Sequence, residues 1–434
     1  MTWLQRHRLR LYFVNSVWIL PVLSMAAAIL VVRLLCYIDQ WLGWETSLPA
    51  ATVQSVLGTM ASSMFTFIVF VSSALLVAVQ LASSQLTPRI IGIVFRDPVT
   101  KISLVVFVFT FTLSLAVLVR VTTSVPPLTT RIAAYSCLAS LGVFLYLIDH
   151  VGKALRPSGA LWAVASWGRE VIESVYPRPF AQALGKDLTP GTLLKPTRII
   201  PTHRDGVVLA FDIPGLVLLA QRNDCVIELV PQVGDFVAAG DPLFLIFDRG
   251  ESLPADALYQ SIALGQERTL ELDPAFAFRM IVDIASKGLS PAINDPTTAV
   301  LAIDQIHHLL RNVGSRSLDD ERVRDAAGRL RLAYRTPDWE DFVHLAVTEI
   351  RQFGGSSIQI ARRLKAMLEN LIQTLPQERG GLLRQELVLL RRSAERFFPE
   401  PEDRALANIS DFQGVGGTQA CSHTDGRVKE TSCS

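Results

Sequence analysis

Four long apolar segments in the first 152 residues constrain the fold of this chain more than any other feature of its sequence. They cover about residues 14–38, 56–81, 102–121 and 132–151. An α-helix rises 1.5 Å per residue, so about 20 apolar residues cross the roughly 30 Å hydrocarbon core of a bilayer. We therefore predict an integral membrane α-helical bundle of four spans within residues 1–152. The first segment is too long for a cleaved signal peptide, and we expect it to remain as an anchor.

The basic residues of the short loops indicate how the predicted spans are oriented, because cytoplasmic loops carry an excess of Lys and Arg. Such residues precede span one and follow spans two and four: Arg6, Arg8, Arg10, Arg89, Arg96, Lys101, Lys153 and Arg156. The loop after span one has none, and the loop after span three has only Arg131. We therefore expect both the N-terminus and the C-terminus to be cytoplasmic.

Span two differs from the other spans because polar side chains recur along it at intervals of three, four or seven residues. The repeated positions are Ser55, Thr59, Ser62, Thr66, Ser73 and Gln80. This spacing places them on one side of a helix, and we call them the polar stripe. Two interpretations remain open. Small and hydroxyl-bearing residues let membrane helices pack closely, and a polar side can also line a water-filled path assembled from several copies.

The chain after span four predicts a cytoplasmic α+β region. Residues 153–192 form an amphipathic linker, whose helix at about 161–176 we expect along the inner membrane surface. Residues 193–252 contain short runs of Val, Ile, Leu and Phe bounded by Gly, Pro and Asp, a pattern typical of strands. Residues 253–404 have apolar residues at helical spacing and predict a helical domain. Residues 405–434 lose that pattern and are expected to be disordered.

One motif in the strand-rich region resembles a known small fold. The stretch VGDFVAAGDPLFLIF is similar to the hairpin of biotinyl- and lipoyl-type half-barrels, in which glycines form the tight turns. Residues 206–247 contain no Lys to which biotin or lipoate could be attached. We therefore predict a small structural half-barrel without a cofactor.

The segment LSPAINDPTTA predicts a turn between two helices. Asp295 suits the N-cap of the second helix, and Pro296 suits its first position, where a missing N–H costs nothing. The backbone N–H groups of a helix start can bind phosphate or carboxylate, although Asp295 already uses part of that capacity. The turn with Ser290, Asn294 and Asp295 is therefore a candidate anion-facing loop, and an ordinary capped turn is the alternative.

No metal site or catalytic centre is predicted. Asp304 with His308, and Glu340 with His344, have the spacing of helical metal ligands, but a zinc site needs three or four protein ligands and the further ones are missing. The motifs G-x-S-x-G, G-x-x-x-x-G-K-[ST] and G-x-G-x-x-G do not occur in the sequence. A formal net charge of +1 argues against a nucleic-acid partner.

Four segments together resemble a known family. MFTFIVFVSSALLVAVQLASSQLTPRII, DGVVLAFDIPGLVLLA, GDFVAAGDPL and LSPAINDPTTA, in this order behind four spans, are similar to the bacterial predicted membrane protein family called domain of unknown function 2254. The resemblance extends to about residue 400. It implies a location in the bacterial inner (plasma) membrane. It implies no reaction, so no residue receives a role from it.

The polar stripe beside a large cytoplasmic region motivates a functional hypothesis. The chain is interpreted as a channel or transporter-like protein of the lipid bilayer, regulated or assembled by its cytoplasmic module. A single four-helix bundle encloses little space, so we expect a homo-oligomer. The alternative is a membrane-anchored scaffold or signalling module whose cytoplasmic part binds a cytosolic partner.

Overall fold

A computed structural model describes residues 2–43, 49–92, 97–121, 125–154, 156–180, 195–318 and 321–411. The chain divides into two compact units, one from Arg8 to Ala160 and the other from Leu161 onward together with the first seven residues. We call them the membrane unit and the C-terminal unit. The tail from residue 412, predicted to be disordered, lies outside the described residues.

The helices of the N-terminal part are α1 (Trp3–Asn15), α2 (Ile19–Leu42), α3 (Ala50–Gln85), α4 (Pro98–Leu118) and α5 (Pro127–Ala154). Four of them, α2 to α5, are long and apolar enough to cross a membrane, as the sequence predicts. The first predicted span begins too early, because residues 16–18 are not helical and separate α1 from α2.

The membrane unit is organised around α4, which packs on α2, α3 and α5. Two apolar clusters lie inside the bundle. In one of them the partly buried Phe67 stacks on the partly buried Phe144, with ring centroids 4.2 Å apart, and the buried Phe107 lies beside both. A hydrogen bond of 3.0 Å joins the buried hydroxyls of Thr110 and Ser140. Side chains therefore occupy the centre of a single bundle.

Among its described residues, the strands of the C-terminal unit form two sheets, and β3 with β8 is the only parallel pair. The larger sheet has the order β1-β5-β3-β8-β7, and the smaller one has the order β4-β2-β6. The strands are β1 (Arg198–Pro201), β2 (Gly206–Phe211), β3 (Cys225–Leu229), β4 (Phe236–Val237), β5 (Pro242–Asp248), β6 (Ile262–Gly265), β7 (Glu321–Arg324) and β8 (Leu330–Tyr334).

The half-barrel motif and the larger sheet differ from the sequence expectations in two respects. Strands β4 and β5 of the VGDFVAAGDPLFLIF motif lie in different sheets and do not pair with each other. The region predicted to be helical, residues 253–404, supplies β7 and β8 to the larger sheet. The core between sheets and helices includes Leu216, Ile227, Phe244 and Leu332.

The helices of the C-terminal part are α6 (Pro157–Val175), α7 (Ile213–Arg222), α8 (Ala255–Tyr259), α9 (Pro274–Gly288), α10 (Pro296–Gly314), α11 (Trp339–Phe353), α12 (Ile358–Thr374), α13 (Gly380–Phe397) and α14 (Pro401–Ala407). Several begin where an aspartate accepts a hydrogen bond from the backbone N–H three residues later, as Asp273 does for α9 and Asp338 for α11.

Helix α6 lies within the segment that was predicted as an amphipathic linker and includes most of the helix expected at about 161–176. A Cβ added at Gly168 would lie 2.8 Å from the Cβ of Ala277 and 3.3 Å from Leu309, so α6 packs tightly on α9 and α10. At its end, the buried Tyr176 donates a hydrogen bond to the carbonyl oxygen of Pro337 at 2.8 Å. The apolar side of α6 therefore lies within the C-terminal unit.

Candidate functional site

The polar stripe lies on the exposed side of α3. Every residue of the stripe is exposed in the membrane unit: Ser55, Thr59, Ser62, Thr66, Ser73 and Gln80. At about 100° per residue these six side chains fall within one narrow sector of the helix. From Ser55 to Gln80 the helix rises about 38 Å, which exceeds the hydrocarbon thickness of a bilayer. The stripe is therefore long enough to cross the hydrocarbon core of a bilayer.

The opposite side of α3 packs into the bundle. Its buried residues recur with the same helical period and are all apolar: Val53, Leu57, Ala61, Met64, Val71, Leu75, Ala78 and Ala82. Packing within one copy of the chain therefore uses this side of α3. The polar stripe takes no part in it.

The two threonine hydroxyls of the stripe direct their hydrogens toward the helix backbone. Thr59 donates to the carbonyl oxygen of Ser55 at 3.0 Å, and Thr66 donates to that of Ser62 at 2.9 Å. Such bonds to the preceding turn satisfy a hydroxyl hydrogen inside a membrane helix. The oxygen lone pairs of Thr59 and Thr66 are left facing outward.

Apolar side chains interrupt the stripe twice, between Thr66 and Ser73 and again between Ser73 and Gln80, where Leu76 and Val77 are 62% and 59% exposed. Val69 and Phe70 are 48% and 49% exposed, and they occupy the turn where the next polar residue would fall. In a polar path, water withdraws from a narrow section that apolar side chains line. The exposed side of α3 therefore alternates polar turns with apolar ones.

A carboxylate from α2 caps the start of α5, a contact that the sequence analysis missed. Asp39 accepts hydrogen bonds from the backbone N–H of Leu128 at 2.9 Å, from that of Thr129 at 3.0 Å and from the Thr129 hydroxyl at 2.6 Å. The residue before α5 is Pro126, which has no side-chain acceptor to cap the helix. The sequence contained two signals for this contact: α5 has no capping residue of its own, and Asp39 is an acidic residue at the end of a span.

The other end of the bundle has a second contact between spans. Asp97 caps α4 by accepting a hydrogen bond from the backbone N–H of Thr100 at 2.9 Å. Its other oxygen lies 3.1 Å from Nε2 of His150 on α5. Both side chains are about three-quarters buried, so the pair joins α5 to the start of α4.

The candidate anion-facing loop is a closed turn in the structure. The Ser290 hydroxyl donates to the carbonyl oxygen of Lys287 at 2.6 Å. The backbone N–H of Asn294 donates to the carbonyl oxygen of Ser290 at 2.8 Å. Asp295 accepts from the backbone N–H and the hydroxyl of Thr298 at 3.0 and 2.5 Å. These residues close the turn and cap α10, and anion binding by them stays a prediction.

The residues considered as metal ligands have other partners. The Nε of the buried Arg363 donates to Oδ1 of Asp304 at 2.7 Å, so a cation already occupies that carboxylate. His344 lies between two carboxylates, with Nε2 3.4 Å from Glu340 and Nδ1 3.5 Å from Glu386. Because each ring nitrogen faces a different carboxylate, the three cannot chelate one ion. In the part of the chain that the structure describes, no three His, Cys, Asp or Glu side chains form a metal-binding group.

Comparisons with known proteins agree with a membrane location. The sequence model of the family described as "Predicted membrane protein (DUF2254)" matches residues 14–370. Two proteins that carry the description "uncharacterized protein", from Mycobacterium bovis and from Mycobacterium tuberculosis H37Rv, are each 25% identical over 416 residues. Each alignment covers 91% of this chain and 79% of the relative. No solved structure matches the chain.

Proposed function

Because the chain belongs to the family described as "Predicted membrane protein (DUF2254)", we propose that it is an oligomeric channel or transporter-like protein of the bacterial inner membrane. In this proposal, several copies bring their polar stripes together around a shared path across the bilayer. The C-terminal unit lies in the cytoplasm and regulates or assembles the oligomer.

The exposure of the polar stripe supports this proposal. A polar group that faces lipid has no partner other than its own helix, and an unsatisfied one costs free energy in hydrocarbon. The outward lone pairs of Thr59 and Thr66 and the amide of Gln80 gain partners if they face water or a second copy. Buried apolar side chains such as Phe107 and Leu113 occupy the interior of the bundle, so the proposed path lies between copies.

Reconstitution in liposomes tests the proposal, with two neighbouring serines as a matched pair. Ser72 and Ser73 are both exposed and lie at the same depth on α3, but Ser72 points about 100° away from the stripe. The wild-type protein should conduct ions or small solutes above the background of empty liposomes. The variant Ser73→Leu should reduce this flux severalfold, because it places an isobutyl group in the path, whereas Ser72→Leu should leave it unchanged.

Two results would refute the proposed path. One is flux that stays at background across several cations, anions and small neutral solutes in a preparation confirmed to be oligomeric. The other is an equal flux for the two leucine variants. Background flux together with specific capture of one cytosolic protein by the full-length chain would favour the membrane-anchored binding module instead.

A further inference from the structure

Helix α1 carries a concentration of positive charge that the proposed path does not use. Its three arginines, Arg6, Arg8 and Arg10, are all exposed. Residues 1–38 contain no Asp or Glu, so no neighbour in sequence neutralises them. The exposed surface of α1 therefore favours an anionic partner.

Apolar side chains lie between these arginines on the same exposed side of α1. Leu9, Tyr12 and Phe13 share one side of the helix with the exposed Gln5, and the three apolar residues are 43%, 54% and 55% exposed. At about 100° per residue, Arg8 borders this apolar strip on one edge, and Arg6 and Arg10 border it on the other. The remaining side of α1 consists of half-buried residues: Trp3, Leu4, His7 and Leu11.

The position of α1 beside the first span places this surface at the membrane boundary. Residues 16–18 interrupt the helix, and α2 begins at Ile19. The 24 residues of α2 extend about 36 Å, enough to cross the hydrocarbon without help from α1. Trp18, at the junction, is 58% exposed, and tryptophan is enriched at the interface between lipid and water. Helix α1 is therefore not needed to cross the hydrocarbon, and it adjoins the span at the level of the headgroups.

We propose that α1 is an interfacial helix that binds anionic phospholipids. Leu9, Tyr12 and Phe13 enter the upper part of the acyl chains, while the flanking arginines extend their aliphatic stems over the lipid and place their guanidinium groups on the phosphates. Guanidinium groups bind phosphate through paired, charge-assisted hydrogen bonds. Basic residues next to a span are attracted to a leaflet that contains anionic lipid. The apolar strip distinguishes this surface from a site for soluble phosphate.

Native mass spectrometry of the full-length protein in detergent tests this binding. Dioleoyl phosphatidylglycerol and dioleoyl phosphatidylcholine are titrated separately, and the wild-type chain should bind the anionic lipid more tightly. Replacing the three arginines together, Arg6→Gln, Arg8→Gln and Arg10→Gln, should weaken phosphatidylglycerol binding at least tenfold and leave phosphatidylcholine binding unchanged. Soluble glycerol phosphate should not displace the lipid, because it has no acyl chains.

Two control variants make the result specific to α1. The triple variant Arg6→Lys, Arg8→Lys and Arg10→Lys keeps the charge and should keep most of the lipid preference. Replacing three exposed arginines of α13 by Gln, at Arg384, Arg391 and Arg392, removes the same charge elsewhere and should change nothing. Equal binding of the two lipids by the wild-type chain overturns the proposal. Unchanged phosphatidylglycerol binding in the α1 glutamine variant also overturns it. If that variant loses its oligomers and still binds the lipid, α1 contacts a second copy of the chain and the proposal is likewise overturned.

Discussion

Gly234 and Gly240 have the same left-handed backbone conformation, with φ of +97°, but different surroundings. A Cβ at Gly234 would overlap Oδ2 of Asp273 and lie 2.8 Å from Nη2 of Arg268, whereas nothing lies within 4 Å of one at Gly240. Asp273 is buried and accepts hydrogen bonds from Nε and Nη2 of Arg268 at 2.7 and 2.9 Å. The turn at Gly234 therefore closes over this ion pair at the start of α9.

The two glycines allow the contribution of this contact to be separated from backbone strain. Alanine at either position adopts an unfavourable φ, which costs roughly 1–2 kcal/mol. Gly234→Ala also displaces the Asp273–Arg268 pair and should cost about 1–3 kcal/mol more, as overpacking does. Thermal unfolding in detergent should therefore give a clearly lower Tm for Gly234→Ala than for Gly240→Ala. Equal Tm values would show that the turn does not hold the pair.

Because His307 is largely buried, we expect the protein to become less stable as the pH falls. Its Nε2 lies 2.9 Å from Oδ1 of Asn370, and burial lowers the pKa of His307 below its usual value. As the pH falls below about 6.5, the unfolded chain takes up a proton at this residue before the folded chain does, so stability decreases. The loss of Tm between pH 7.5 and pH 5.5 should be smaller in His307→Gln. The variant with Gln at the exposed His308 should lose as much Tm between these pH values as the wild-type protein. If His307→Gln also loses as much Tm as the wild-type protein, His307 is not the source of the pH dependence.

The partner of Asp304 shows why single residues were harder to predict than elements. The sequence places His308 four residues away on the same helix, and that local spacing was the basis for weighing a shared metal. The structure instead brings Arg363 from α12 onto Asp304. The two residues are 59 positions apart, and the contact depends on how α10 packs on α12, which no local pattern encodes.

Among the elements of secondary structure, the helices were predicted from the sequence more completely than the strands and their pairing. The four predicted spans follow from apolar length alone, and the structure confirms four helices that are long and apolar enough to cross a membrane. Strands β7 and β8 were not foreseen, because Glu321–Arg324 is charged and β8 joins the sheet only by pairing with β3, about 100 residues earlier. Residues 405–411 belong to the tail, residues 405–434, that was expected to be disordered because it lacks an apolar pattern. Residues 405–407 are the end of α14, and residues 408–411 follow it. They are bound to α12 by polar contacts, such as the hydrogen bond of 3.2 Å from Arg362 Nε to the carbonyl oxygen of Ile409.

Because Asp39 of α2 caps α5, we expect that removing its carboxylate lowers the stability of the bundle. Asp39→Ala leaves the backbone N–H groups of Leu128 and Thr129 without their acceptor, which should cost about 1–2 kcal/mol and lower the Tm in detergent. Asp39→Asn keeps one carbonyl acceptor and should cost less. If the alanine variant unfolds at the wild-type temperature, the cap does not contribute to the stability of the bundle.

For the molecule as a whole, the sequence predicted that the polar residues of α3 share a side but not where that side points. The residues on the packed side, such as Leu57 and Met64, are no more apolar than exposed ones such as Phe65 and Leu76. In a lipid environment hydropathy does not distinguish the interior of a bundle from its surface. The outward direction of the stripe therefore became visible only in the packed bundle, and the proposed assembly rests on it.

The most direct test of that assembly is disulfide cross-linking between copies in native membranes. In a chain whose native cysteines, Cys36, Cys137, Cys225, Cys421 and Cys433, are replaced by Ser, a single Cys is introduced in place of Ser62, Thr66 or Ser73. Oxidation should link these variants into dimers, because the stripes of neighbouring copies face each other. Cys in place of Leu30 or Leu34 on α2, which are exposed but lie outside the stripe, should give no dimer. Dimers at the α2 positions and none at any stripe position would contradict the account.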